Sequence, residues 1–215
     1  MAVAVPKITK RKESREQEVP GITRPMTYEE YMDGPEEMAR YDIIDGWKVY
    51  RLYGEKQLPN PTREHQRILG RLLRCLQDYE VQSGRGQVIA APCDVRITHR
   101  PLRNRQPDLL FISNERLADN PPSDNPAPLS PAPELVVEIV SPSDKPAVLA
   151  AKIADYRAVD VREVWVVRAG PQSIEIVGLS VDEIATVAEY SRGQTAVSPA
   201  FPDLTVPVDS VFGTG

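Results

Sequence analysis

Two carboxylates stand where the chain is otherwise apolar. Asp108 directly follows Pro107 at the entrance to Leu109-Leu110-Phe111-Ile112, and Glu138 lies inside Leu135-Val136-Val137-Glu138-Ile139-Val140. Both stretches read as buried β-strands, and a carboxylate held there is costly unless a cation or hydrogen bonds compensate it. Lys152 follows on a predicted helix, where Leu149, Lys152, Ile153 and Tyr156 fall at i, i+3, i+4 and i+7 and share one face. Alternate residues of a strand share a face, so Glu138 goes with Val136 and Val140, and a neighbouring Asp108 strand would bring both carboxylates to one divalent cation. Carboxylates and water favour Mg²⁺ or Mn²⁺ over softer metals. In phosphodiester hydrolysis such a cation polarises the phosphoryl group, acidifies the attacking water and stabilises the leaving oxygen. A lysine beside it orients or deprotonates the nucleophile and screens the anionic transition state.

Other residues are candidates with two readings each. Asp42, ahead of an apolar pair, is either a further acidic ligand or a solvated hairpin-edge residue. His65 opens an amphipathic helix on its apolar face, where it touches a phosphate or is a satisfied core histidine. Gln106 is a substrate contact or an ordinary residue before proline. Tyr156 is a core residue that also supports the site. Arg63, Arg67, Arg71 and Arg74 form a stripe that is either a solvated face paired with Glu64 or a face that tracks phosphates.

The elements that must position these groups are legible from pattern. Thr27 and Glu30 form a capping box for a short helix, and Asp45-Gly46 between two apolar runs signals a hairpin. Pro59 and Pro61 end that region. Thr62 can cap a helix whose His65, Ile68, Leu69, Leu72, Leu73, Leu76 and Tyr79 recur at helical spacing, and Gly84 and Gly86 terminate it. Residues 88–98 read as one strand bent at Pro92, followed by a basic loop holding Arg100, Arg103 and Arg105. Residues 119–133 carry six prolines and read as an exposed loop without regular structure. A helix from about Pro146 to Ala158, with Asp155 and Arg157 turned to solvent, leads to a strand at Glu163–Val167. Strands at 173–177 and 186–190 form an antiparallel C-terminal extension, and the apolar tail 204–212 packs back on the body. The central order is helix, strand, strand, strand, helix, strand, which is α/β with a mixed sheet flanked by helices.

Composition bounds the rest. With 215 residues, 41% hydrophobic and 27% charged, the chain suits one domain at 25–215 behind a flexible basic arm at 1–24. Cys75 and Cys93 have no CxxC partners, so reduced thiols are expected and a disulfide or zinc site is not. With no apolar run long enough to span a bilayer and no apolar leader core, a cytoplasmic location is expected. The net charge of −5 is uneven: residues 1–107 hold 19 Lys+Arg against 15 Asp+Glu, and residues 108–215 hold 7 against 16. A nucleic-acid surface could therefore come only from the first half.

The constellation resembles the PD-(D/E)XK nuclease superfamily, and more closely the Uma-type family of bacterial restriction-endonuclease-like proteins. The resemblance runs from about Met26 to Phe212. It is carried by Tyr41-Asp42-Ile43-Ile44-Asp45-Gly46, His65-Gln66, Pro92-Cys93-Asp94-Val95-Arg96, Gln106-Pro107-Asp108, Glu134 to Ser143, Lys152 with Tyr156, Val164-Trp165-Val166-Val167 and Leu204 to Val208. It implies a restriction-endonuclease-like core, Asp108 and Glu138 as metal carboxylates, and Lys152 as the lysine moved from strand to helix. It also implies Mg²⁺ or Mn²⁺ as cofactor, nucleic acid (DNA first) as substrate, and a homodimer, which the apolar tail also suggests. Three departures are visible. Val140, not lysine, stands two residues after Glu138; Asp42 replaces the more common glutamate; and Arg168-Ala169-Gly170-Pro171 replaces an Asp-Pro turn. The rival reading is a nuclease-fold binding or scaffold module without turnover. A metal-independent hydrolase lacks support: there is no GxSxG, and His65 and His99 are the two histidines.

Overall fold

The Asp45-Gly46 pair takes positive φ at both residues, 51° and 85°, as a two-residue turn between right-twisted strands requires. It joins β1 (Tyr41–Ile44) to β2 (Trp47–Tyr50). A Cβ on Gly46 would come within 2.7 Å of the Pro25 side chain, so the turn is seated against the segment entering α1 (Tyr28–Met32). Thr27 and Glu30 cap α1 reciprocally, as the sequence predicts. The computed structural model describes residues 24–35, 41–50, 62–120, 122, 125, 127–140 and 144–213. The basic arm up to residue 23, Pro59 and Pro61, and Ser141-Pro142-Ser143 lie outside the described residues.

Thr62 Oγ accepts the His65 N–H at 3.2 Å and opens α2 (Arg63–Ser83); Gly84, at φ 60°, closes it. Then follow β3 (Gly86–Ala90), β4 (Val95–Thr98), β5 (Arg103–Arg105), β6 (Leu109–Ser113), α3 (Asn114–Ala118), β7 (Leu135–Val140), α4 (Pro146–Ala158) and β8 (Glu163–Arg168). The chain ends with β9 (Ser173–Leu179), β10 (Ile184–Tyr190), β11 (Thr195–Val197), β12 (Thr205–Pro207) and α5 (Val208–Phe212).

The main sheet has six strands in the order β10-β9-β8-β7-β6-β3. β7 and β8 are parallel and joined through α4, while the other neighbours are antiparallel. Alternation divides its side chains between two cores. Leu109, Phe111, Leu135, Val137 and Trp165 face α2 and the C-terminal Val206, Val208 and Val211. Leu110, Ile112, Val136, Val164 and Val166 face α4 through Tyr156, Leu149 and Ile153. Burying side chains of this size contributes about 1.5–3 kcal/mol each relative to exposure, so these two cores hold the sheet between α2 and α4.

Three readings are corrected, and one further element is found. Residues 88–98 are two strands: the chain leaves the main sheet at Ala90, and β4 joins a second sheet ordered β2-β1-β5-β4. Pro92 cannot donate to a ladder, so the break falls there. The basic loop is in part β5, paired with both β1 and β4. Ser113 accepts the Arg116 N–H and starts the short α3, which was not expected. The apolar tail forms the β11–β12 ladder and α5, and Leu204, Val206, Val208 and Val211 are fully buried within this chain, so the tail gives no argument for a dimer.

Candidate active site

Asp108 sits one residue ahead of β6, where its N–H still donates to the Val137 carbonyl at 3.0 Å. The β6–β7 register pairs Leu109 with Val137 and Leu110 with Val136, so Asp108 and Glu138 each come next at the same end of that ladder. Asp108 is fully buried; its Oδ2 accepts the Ile139 N–H at 2.7 Å, and its Oδ1 lies 3.4 Å from His65 Nε2. α2 thus delivers His65 to Asp108 from its first turn, and the histidine is a partner of the site.

Glu138 is gripped from α4. The Lys152 ammonium donates to both of its oxygens, at 3.0 and 2.9 Å, and the Tyr156 hydroxyl donates to Oε1 at 2.7 Å. One helical turn separates lysine from tyrosine, so both arrive on the single inward face that the spacing predicts. The Lys152 side chain is 7% exposed, and its ammonium also lies 3.9 Å from Asp42 Oδ2.

Asp42 is no solvated edge residue. It is buried on β1, accepts the Gln106 N–H at Oδ1 and Arg105 Nη1 at Oδ2, each at 3.0 Å. Gln106 is buried too, and its amide nitrogen donates to Asp94 Oδ1 at 3.0 Å. The second sheet therefore supplies one wall of the site, with β1 and β5 placing Asp42, Arg105 and Gln106 beside the lysine.

The outward placement of Asp155 is also corrected. Asp155 is buried and accepts Arg105 Nε at 2.7 Å and Arg103 Nη1 at 3.0 Å; Arg103 reaches on to Asp45 at 2.7 Å. These pairs tie α4 to β5 and hold the lysine-bearing helix against the second sheet. Sequence reasoning missed Arg103, Arg105 and Asp155. The available signals were the i, i+2 arginines, which share a strand face, and the i+3 spacing of Asp155 from Lys152. Asp94 was missed as well. Burial pushes its carboxyl upward from the ordinary range, against hydrogen bonds from Tyr31 and Gln106 and with the help of nearby Asp42. The Tyr31 hydroxyl, 2.8 Å from Asp94, is likewise pushed upward by burial and by that carboxylate.

Among the described residues, no group of three or more His, Cys, Asp and Glu side chains is placed to hold a metal ion. Mg²⁺, however, keeps several waters and is commonly held by one or two carboxylates, so Asp108 and Glu138, at one end of the β6–β7 ladder, are of the donor type that ion takes. Glu138 already takes a positive charge, the Lys152 ammonium, on both of its oxygens. The two thiols are free, and burial raises both; the Cys93 thiol is pushed up to about 12. No helix among the described residues is long and apolar enough to cross a membrane.

A family model described as "Putative restriction endonuclease", Uma2, matches residues 28–209. Among solved structures the chain is similar to a putative nuclease belonging to DUF820 from Anabaena variabilis ATCC 29413. The TM-score is 0.65 at 16% identity, covering 87% of this chain and 98% of that one. At that identity the likeness bears on the fold, which is restriction-endonuclease-like. No curated protein matches the chain.

Proposed function

Because the chain belongs to the Uma2 family, residues 28–209 matching its model, we propose that it is a divalent-metal-dependent endonuclease. It would hydrolyse phosphodiester bonds of nucleic acid, with DNA as the substrate and Asp108, Glu138 and Lys152 as its catalytic residues. The observation that supports the reading is Glu138 itself: a buried carboxylate at the end of the ladder that Asp108 enters, held on both oxygens by a buried lysine from α4.

Asp108 and Glu138 would hold Mg²⁺ or Mn²⁺, which supplies Lewis-acid polarisation of the phosphoryl group and acidifies a water. The protein's own groups do the rest. His65 and the Ile139 N–H fix the two oxygens of Asp108, and Tyr156 fixes Oε1 of Glu138. In the resting state Lys152 Nζ donates to both oxygens of Glu138. Released from that carboxylate, it turns to the attacking water or the scissile phosphate and stabilises the developing negative charge. Asp42, 3.9 Å away, limits how far the ammonium moves. Gln106, buried in the same wall, is a substrate contact in this reading.

The test is cleavage of single- and double-stranded DNA and RNA with Mg²⁺ or Mn²⁺, beside Asp108→Ala. Metal-dependent cutting by the wild type that disappears in the variant is expected. A wild type that neither cuts any form nor binds Mn²⁺ would establish the alternative, a nuclease-fold module without turnover.

A further inference from the structure

The arginine stripe of α2 plays no part in the chemistry above. Taking about 100° per residue, Arg63, Arg74 and Arg67 fall within roughly 40° of one another. His65, Ile68, Leu72, Leu76 and Tyr79, the buried face, lie on the opposite side. Arg63, Arg67 and Arg74 are exposed, and among the described residues no ion pair or side-chain hydrogen bond engages any of the three. The expected pairing of Glu64 with Arg67 is therefore not made. Arg71, at the margin of the stripe, is half-buried and packs on Gly213 at the end of α5.

A second observation points the same way. Gly70 sits in the middle of this 21-residue helix beside the arginine row; it is exposed, and a Cβ there would meet nothing within 4 Å. Glycine inside a helix is destabilising relative to alanine, and here neither backbone conformation nor internal packing asks for it. A strip without a side chain at Gly70, beside three guanidiniums and with exposed Asp78 one turn beyond Arg74 at its far margin, suits close approach by an anionic backbone from outside over Arg63 to Arg74. The strip spans about 16 Å from Arg63 to Arg74. Its first turn is the one that delivers His65 to Asp108.

We propose that the Arg63/Arg67/Gly70/Arg74 face of α2 is the surface on which a nucleic-acid duplex rests, its phosphates tracked from the active-site end of the helix outward. This deepens the nuclease reading and rests on it for the identity of the partner.

The test pairs a binding assay with a substrate too small to reach the strip. Fluorescence anisotropy with a 20-base-pair duplex, in EDTA, is followed across a salt series for wild type, Arg63→Ala/Arg67→Ala/Arg74→Ala and Gly70→Leu. Hydrolysis of bis(p-nitrophenyl) phosphate with Mn²⁺ is followed for the same proteins. The triple variant should bind roughly tenfold or more weakly, with a log–log salt slope smaller by about 2.7, three contacts at about 0.9 each. Gly70→Leu should weaken binding while helix content and melting hold. Hydrolysis of the small diester should be unchanged in both. Equal affinity and slope in wild type and triple variant would overturn the proposal, as would a wild type that binds no duplex. So would poly-L-glutamate competing as well as duplex with the same arginine dependence, which would make the face a site for acidic protein. Arginine-dependent duplex binding by a wild type that hydrolyses no diester would support this surface and overturn the enzyme.

Discussion

Lys152 can be treated as a tethered cation that competes with a divalent metal for Glu138, and the competition is measurable without any nuclease assay. In Lys152→Met the stem is kept and the ammonium lost, so Glu138 and Asp42 forfeit a charge at 2.9 and 3.9 Å in a nearly dry site. Removing one partner of a buried ion pair costs about 3–5 kcal/mol. For a chain of this size each kcal/mol moves the midpoint by about 2–4 °C, so the variant should melt roughly 6–20 °C below wild type in EDTA. A divalent ion at a hundred times its Kd returns about 2.7 kcal/mol, or roughly 5–11 °C, because it binds the folded site and not the unfolded chain. In wild type the same ion must first displace the ammonium, so its shift should be smaller. Calorimetric melts of both proteins with EDTA, Mg²⁺ and Mn²⁺ give the four differences, and Lys152→Met/Glu138→Gln should lose the rescue. A Lys152→Met midpoint within about 2 °C of wild type would show that the pair is solvated and worth little. A metal shift no larger in the variant than in wild type would refute the competition.

Asp108→Ala should abolish Mn²⁺ binding by calorimetry together with cleavage, whereas Lys152→Ala should lose turnover and keep the ion. Arg105→Ala should destabilise by about 3 kcal/mol in urea melts, since it leaves Asp42 and Asp155 short of a buried cation; Arg103→Ala, more exposed and duplicated at Asp155 by Arg105, should cost about 1 kcal/mol or less. Tyr156→Phe should keep the fold and slow cleavage several-fold, through a less firmly held Glu138. Glu163 gives a pH signature away from the site: buried beneath Ser198, Ala200 and Trp165, its carboxyl is held above the ordinary range by burial. The folded protein therefore binds that proton more tightly than the unfolded chain. The stability involved is fully present below the unfolded value, near pH 4.3, and is lost as pH rises through the folded value. Glu163→Gln should flatten that decline in melts taken between about pH 4 and 7.

What the sequence revealed, and what it concealed, divides along the range of the interactions. The capping box at Thr27, the Asp45-Gly46 turn, the α2 face and the limits of α4 are set by neighbours within a turn or a hairpin, and each forms as patterned. Asp108, Glu138 and Lys152 were legible because each is a charge placed on an apolar face, a local contradiction that only a partner can resolve. Asp155 was not, because a carboxylate on a helix has an ordinary solvated reading; its partners, Arg103 and Arg105, arrive from a sheet formed some 50 residues earlier. That sheet was itself obscured by a proline-marked break that periodicity alone cannot distinguish from a bend.

The same reasoning explains why this site takes its lysine from a helix. Two residues beyond Glu138, on the same face of β7, Val140 packs into the apolar cluster that also holds Leu149 and Ile153 of α4. A lysine at 140 would have to push its stem between the sheet and the helix that crosses it, at the cost of that packing. α4 instead offers a position one turn from Leu149 and one turn from Tyr156, from which an ammonium reaches both oxygens of Glu138. The helix must then be held in register to within a fraction of an ångström, because Lys152 has no strand ladder to fix it. The Asp155 pairs with Arg103 and Arg105 provide that hold from the second sheet, and the sheet carries Asp42 on the adjacent strand. Lys152 and the second sheet thus act together: the helix supplies the charge on Glu138, and the sheet fixes where that charge stands.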